Sequence, residues 1–187
     1  MTQHGPWQIL ESHEVYRDSW IAVRQDDVVR PDGKPGTHSV VTIKPGVTVL
    51  AMDDDDDNVY LTEEFHYGVG RITIEAVSGG IEADERPLET AKRELREELG
   101  IEAEEWIDLG VVDPFTASVV SPTQLYLARK LRFGDQAPEG TEQIRCVKMT
   151  LAEALQKVID SKITHGPSCV LILKAALKSA GRPTASS

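Results

Sequence analysis

The segment from Gly79 to Ile101, GGIEADERPLETAKRELREELGI, sets Glu94, Glu97 and Glu98 on one turn of a predicted helix just after a glycine pair. Residues three and four apart on a helix are neighbours, so Glu94 repels both Glu97 and Glu98, each pair by about 0.2 to 0.5 kcal/mol if nothing relieves it. A cation would relieve it, and carboxylate oxygens are the hard ligands that Mg2+ or Mn2+ takes. An acidic, arginine-dotted helix is more commonly a solvated face laced with ion pairs. That description leaves Gly79, Gly80 and the regular spacing of Arg93 with the glutamates unexplained.

The elements that must carry these side chains are legible nearby. Pro87 suits a first helical turn, where its missing N–H is no loss, and Gly100 suits the position just past a helix end. The spacing predicts a helix over Pro87 to Leu99. Leu88, Ala91, Leu95 and Leu99 recur on one stripe for burial, which leaves Glu94, Glu97 and Glu98 to project from another face. Arg93 stands four residues from both Glu89 and Glu97 and can hold a carboxylate in place. Ile72 to Val77 alternates as a strand and runs into the Gly79 loop.

The defined positions, Gly79, Glu85, Arg93, Glu94, Leu95, Glu97, Glu98, Gly100 and the aliphatic Ile101, fit the Nudix box in type and spacing. On them the chain resembles a Nudix hydrolase. The resemblance implies an α/β fold, the Nudix α/β/α sandwich with a mixed sheet, and a metal-dependent enzyme that cleaves a pyrophosphate joined to a further group. It implies that Glu94, Glu97 and Glu98, with the backbone carbonyl of Ser78, hold Mg2+ or Mn2+. Arg93 and Glu85 would orient those carboxylates, and Gly79 and Gly80 would let substrate approach the backbone. Glu97 is the favoured general base, with Glu139 or Glu142 on a later loop as alternatives.

Beyond the box the chain looks most like the ADP-ribose pyrophosphatase branch, through Pro31-Asp32-Gly33, Glu64-Phe65-His66 and Glu75. That branch shares its N-terminal sheet across a homodimer and sandwiches adenine between aromatic residues. Trp20 and His38 fall at those positions, and an aromatic face offers a base about 1 to 3 kcal/mol. A core role for Trp20 and a surface role for His38 compete with that assignment. His66 stands where the branch has an arginine that grips phosphate or ribose, Thr116 replaces a proline, and Ser121 stands where a glutamate base is implied; Arg71 reads equally as a phosphate contact or as a surface arginine. His4, His13 and His165 lack partner spacing and read as surface residues. The implied reaction takes ADP-ribose to AMP and ribose 5-phosphate. The alternatives are another nucleoside diphosphate sugar, a dinucleoside polyphosphate or a damaged nucleotide as substrate, or a nucleotide-sensing module without turnover.

The rest of the chain reads as follows. Trp20 to Arg30 and Thr37 to Ile43 form a hairpin about Pro31-Asp32-Gly33-Lys34, and residues 1–44 form an N-terminal β element for dimerisation and base binding. A catalytic domain covers 45–180 and a frayed tail 181–187. Strands are expected at Val47 to Met52, Val59 to Glu64, Trp106 to Val112, Leu125 to Leu131 and Ile144 to Met149, with a solvated turn at Asp53 to Asn58. Thr150 and Glu153 cap a helix, and Ser168 to Ser179 is the last helix, ended by Gly181 and Pro183.

Acidic residues number 31 against 20 basic ones, a formal charge of −11. Such a chain is a poor ligand for duplex nucleic acid, whose binding rests on lysine and arginine displacing counterions. A small nucleotide is the partner expected. Cys146 and Cys169 are too few for a disulfide scaffold. The start lacks a basic region followed by an apolar one, and the longest apolar run, Val170 to Leu173, is far short of the roughly 20 residues of a membrane span. A cytoplasmic location without membrane contact is expected.

Overall fold

The computed structural model describes residues 1–55, 57–136 and 143–180. Contacts divide the chain into two units, Met1–Pro45 with Asp113–Pro122, and Gly46–Val112 with Thr123–Ser187. Residues 113–122, grouped with the catalytic segment by sequence, thus fall in the first unit. Gly181, Pro183 and the tail lie outside the described residues.

In the first unit β1 (Thr2–His4), β2 (Trp7–Arg17), β3 (Ile21–Val29) and β4 (Pro35–Ile43) form an antiparallel meander. The β3–β4 turn is the one predicted from Pro31-Asp32-Gly33. Gly33 takes φ 79°, a left-handed conformation that favours glycine, and the Arg30 N–H donates to the Lys34 carbonyl at 2.9 Å. β1 and β2 are absent from the sequence expectations. Most of β2 is exposed, so no alternation of apolar and polar residues announces it. Val119–Val120 joins β4 in parallel and completes this sheet.

The second unit contains β5 (Gly46–Met52), β6 (Asn58–His66), β7 (Arg71–Glu75), β8 (Val77–Gly80), α1 (Pro87–Leu99) and β9 (Ile101–Val112). After β10, the Val119–Val120 strand, come β11 (Thr123–Phe133), β12 (Arg145–Thr150), α2 (Leu151–Ile159) and α3 (Gly166–Ala180). The strands order as β12-β6-β5-β11-β9, with β7 added to β6 and β8 to β5. β11 runs parallel to β5 and the other pairings are antiparallel, so the sheet is mixed.

Two apolar layers make this unit an α/β/α sandwich. Val47, Val49 and Ala51 of β5 and Tyr126 and Ala128 of β11 pack with Ala91, Leu95 and Leu99 of α1. The alternate residues Leu50, Met52, Leu125 and Leu127 pack with Leu151 and Ala154 of α2 and Leu171, Ile172 and Ala175 of α3. Strands covered on both faces read as near-continuous apolar runs, and Val47 to Met52 is one, broken only at Thr48. Leu95 has no exposed surface, and truncating it to alanine would cost about 2 to 5 kcal/mol.

The aspartate run does close a hairpin, the Asp53 N–H donating to the Asn58 carbonyl at 2.9 Å. Asp53 and Asp54, however, are not merely solvated. The Tyr60 hydroxyl donates to Asp53 at 2.9 Å, and the buried Arg129 guanidinium donates to Asp54 Oδ1 at 2.7 Å. A cation withdrawn from water requires such a partner.

Candidate active site

Helix α1 begins and ends where Pro87 and Gly100 place it. Gly100 adopts φ 64° and its N–H donates to the Arg96 carbonyl at 2.9 Å, while the Arg86 N–H donates to Glu89 Oε2 at 3.2 Å. Glu89 is also taken by the Arg86 guanidinium, so it does not compete for Arg93. Arg93 instead becomes a hub. Its Nε and Nη2 donate to Glu85 at 2.8 and 3.1 Å, its Nη1 to Glu97 Oε2 at 3.0 Å, and Nη1 lies 2.8 Å from Glu94 Oε1. The planar guanidinium offers several donors in a fixed fork, which lets one side chain set three carboxylates at once.

Glu85 also accepts from the Thr90 hydroxyl at 2.8 Å. The Arg93 hydrogen bonds, helped by Thr90 and the Glu82 N–H and opposed by partial burial, hold the Glu85 carboxyl down at about 2. The same carboxylates push Arg93 upward, Glu85 foremost. Glu94 and Glu97 are half-buried, and Glu98 is buried at 9 % exposure. Glu98 was expected to project with the other two; instead it lies with Leu95 and Leu99 on the covered side of α1.

Gly79 and Gly80 are strand residues, not the loop that sequence suggests. They belong to β8 and pair with Val47 and Gly46 of β5. A glycine-rich stretch has weak strand propensity by itself, and here the buried partner β5 imposes the extended form. A Cβ on Gly79 would fall 2.0 Å from Glu94 Cδ and Oε1. The space that this glycine opens is therefore filled by the Glu94 carboxylate rather than left for substrate. The Gly80 carbonyl accepts from Arg93 Nη2 at 3.4 Å. The Ser78 hydroxyl donates to the Ala76 carbonyl at 3.0 Å and lies 3.2 Å from Thr48 Oγ1.

His66 and Arg71 face each other across the end of the β6–β7 ladder. Arg71 Nη2 donates to Thr164 Oγ1 at 3.0 Å, and His66 Nε2 lies 3.3 Å from Glu75 Oε1. His165, expected as a lone surface residue, is partly buried with Nδ1 3.1 Å from Glu75 Oε2. No local spacing signals that contact, because the two residues lie on distant parts of the chain. Glu139 and Glu142 lie outside the described residues.

In the first unit Trp20 is 63 % exposed, which removes the core explanation, and the Lys44 ammonium lies 5.4 Å from its ring centroid. His38 lies opposite Asp26 on the β3–β4 ladder, whereas Trp20 precedes the Ile21–Ile43 pair at its far end. At about 3.4 Å per residue that is roughly 17 Å of ladder, so one chain does not close both rings on a single base. His38 sits instead 5.7 Å from Trp7, centroid to centroid, at the wall of a 630 Å3 cavity also lined by Arg24, Asp26 and Val28. Burial pushes the Asp26 carboxyl up, but Ser12 and Arg24 outweigh it and hold the group below its ordinary range. Trp7, Arg24 and Asp26 are site candidates that sequence alone did not single out. Ser121 and Thr116 lie in the Asp113–Pro122 segment of this unit.

A carboxylate helix turn framed by one guanidinium and seated against a side-chain-free strand residue defines a class, and comparison with known proteins gives it a family. Residues 42–165 match the NUDIX domain, and residues 7–41 match the nucleoside diphosphate sugar hydrolase N-terminal domain. The chain belongs to the Nudix hydrolase family. It is 31 % identical to an ADP-ribose pyrophosphatase of Mycobacterium tuberculosis over 88 % of this chain and 80 % of that one. It is 26 % identical to a methanol dehydrogenase activator of Bacillus methanolicus over 90 % of this chain and 94 % of that one. A crystal structure of an ADP compounds hydrolase superposes with a TM-score of 0.81 at 21 % identity, covering 98 % of this chain and 100 % of the other, which shows the shared fold.

Nudix hydrolases depend on divalent metal, and the residues present fit one. The donors on α1 are all hard carboxylate oxygens, three carboxylates share one guanidinium, and Glu94 is laid along β8 in the gap that a Cβ at Gly79 would fill. Among the described residues no helix is long and apolar enough to cross a membrane.

Proposed function

We propose that this Nudix pyrophosphohydrolase cleaves ADP-ribose, with water, to AMP and ribose 5-phosphate. The observation that carries the reading is the Arg93 hub on Glu85, Glu94 and Glu97, supported by 31 % identity to an ADP-ribose pyrophosphatase. Glu94, Glu97 and Glu98, with the Ser78 carbonyl, would hold Mg2+ or Mn2+, which supplies charge neutralisation on the phosphates and a more acidic water when bound. Glu97 accepts the proton of the attacking water. Arg93, fixed by Glu85, keeps Glu97 and Glu94 from splaying under their mutual repulsion. Gly79 makes room for Glu94, and the Gly80 carbonyl steadies Arg93. Electrostatic preorganisation of this kind costs no rearrangement at the moment of reaction.

His66 and Arg71 take the phosphate and ribose side of the substrate. Trp20 and His38 serve the base, and since one chain separates them along the ladder, a homodimer in which each copy supplies one ring is the arrangement that supports a sandwich. The location is cytoplasmic. Incubation with Mg2+ or Mn2+ and a panel of ADP-ribose, other nucleoside diphosphate sugars, dinucleoside polyphosphates and oxidised nucleotides tests the assignment. AMP release fastest from ADP-ribose is the result expected. Tight nucleotide binding without release of any product would establish the sensing module instead.

A further inference from the structure

Three segments converge on one carboxylate. Glu75, at the end of β7, accepts from the Thr73 hydroxyl at 2.6 Å on Oε1, and the same oxygen lies 3.3 Å from His66 Nε2 at the end of β6. Its other oxygen, Oε2, lies 3.1 Å from His165 Nδ1, just ahead of α3. His165 Nδ1 is also 2.8 Å from the hydroxyl of Ser168, which is buried and accepts the Ala76 N–H at 2.9 Å. The arrangement is not a nucleophilic triad. Ser168 and Glu75 meet the same ring nitrogen, whereas base activation of a serine requires one on each.

The chemistry of the cluster is orientation. A carboxylate held at one oxygen can swing about its terminal bond; one held at both oxygens by separate elements cannot. Two imidazoles each facing one oxygen fix Glu75 and, through it, each other's rings. We propose that His165 is a positioning residue for substrate binding, which pins Glu75 Oε2 so that Oε1 holds the His66 imidazole in one orientation and one tautomer, with its proton on Nε2. Burial, opposed by Glu75, holds His165 below the usual imidazole range, which favours a neutral ring with one N–H. Nδ1 is the nitrogen that faces an acceptor, so that N–H belongs there. The inference rests on His66 being a substrate contact, as proposed above.

Equilibrium binding of ADP-ribose, measured by calorimetry in EDTA so that no turnover intervenes, tests it in a double-mutant cycle. His165→Ala weakens binding about tenfold, the effect of losing a hydrogen bond to a charged group. His165→Asn, whose side-chain amide reproduces a donor at the Nδ1 position, binds within about twofold of the native protein. In a His66→Ala background His165→Ala adds less than about twofold, because the residue it positions is gone. A tenfold loss in both backgrounds, or none in either, overturns the role. Nitrogen-15 spectra of the His66 ring decide the matter without any ligand, should ADP-ribose prove not to bind. One fixed Nε2–H tautomer in the native protein and a mixture in His165→Ala sustains the proposal; identical spectra sink it.

Discussion

Glu94, Glu97 and Glu98 on α1 and the trio Glu11, His13 and Asp27 on β2 and β3 offer similar ligand chemistry to a divalent cation, yet they are built in opposite ways. The β2–β3 trio has the tighter convergence, its ligand atoms all lying within 4.8 Å of one another. Its side chains are 70 %, 48 % and 47 % exposed, and His13 Nε2 lies 3.9 and 3.4 Å from the two carboxylates. On α1 Glu94 and Glu97 are 14 % and 19 % exposed and are drawn onto Arg93 instead of onto one another. Proximity of oxygens is thus the weaker criterion. Exposed charges are screened and mobile, whereas a partly desolvated, guanidinium-framed set keeps its geometry and its field.

The largest effect belongs to the proposed proton acceptor. Glu97→Gln should lower kcat by about 10³-fold, in the range for loss of a general base, with an unchanged circular dichroism spectrum. Near-native turnover in that variant would remove α1 from the comparison altogether. Next is Gly79→Ala, whose Cβ would collide with Glu94. A loss of about 100-fold in kcat/KM and a raised Mg2+ requirement are expected, as for displaced metal-site neighbours. If alanine is accepted without cost, Glu94 does not need its seat on β8.

Arg93→Lys keeps the charge but loses the fork that reaches Glu85 and Glu97 together, and about a tenfold loss of activity should follow. Glu85 adds a pH signature. Its folded pKa of about 2 lies below the ordinary 4.5, so between those values the unfolded chain binds the proton more readily. Its contribution to stability is full above pH 4.5 and is lost as pH falls toward 2. Urea midpoints should decline across that window in the native protein, and Glu85→Gln should flatten the decline. The smallest effect is reserved for the other cluster. His13→Ala should change stability by less than about 0.5 kcal/mol and leave the Mg2+ dependence of activity where it was. A shifted metal requirement there would reverse the ranking of the two sites.

Legibility in the sequence followed the range of the interactions. α1 has the predicted ends because Pro87 and Gly100 act within a turn of where they stand. The hairpin at Gly33 and the capped start of α2 at Thr150, whose hydroxyl accepts the Glu153 N–H at 3.2 Å, are local for the same reason. β2 was not visible, since a strand exposed on most positions needs only its neighbours' ladder. The glycines of β8 read as a loop until β5 supplied the pairing, and Arg129 with Asp54 joins β11 to a turn 75 residues earlier.

By itself the sequence determined the box: which carboxylates share a helical turn, where that helix starts and stops, and that an arginine lies within reach. Those properties depend on neighbours within about one or two helical turns. The fold alone decided that Arg93 prefers Glu85 to Glu89, that Gly79 exists to admit Glu94, and that Glu98 is buried. It also decided that His165 meets Glu75, and that Trp20 and His38 stand apart on one ladder. Each of these compares partners brought together by strand pairing or helix docking, and the distances that choose among them are set by the packed core and not by separation along the chain.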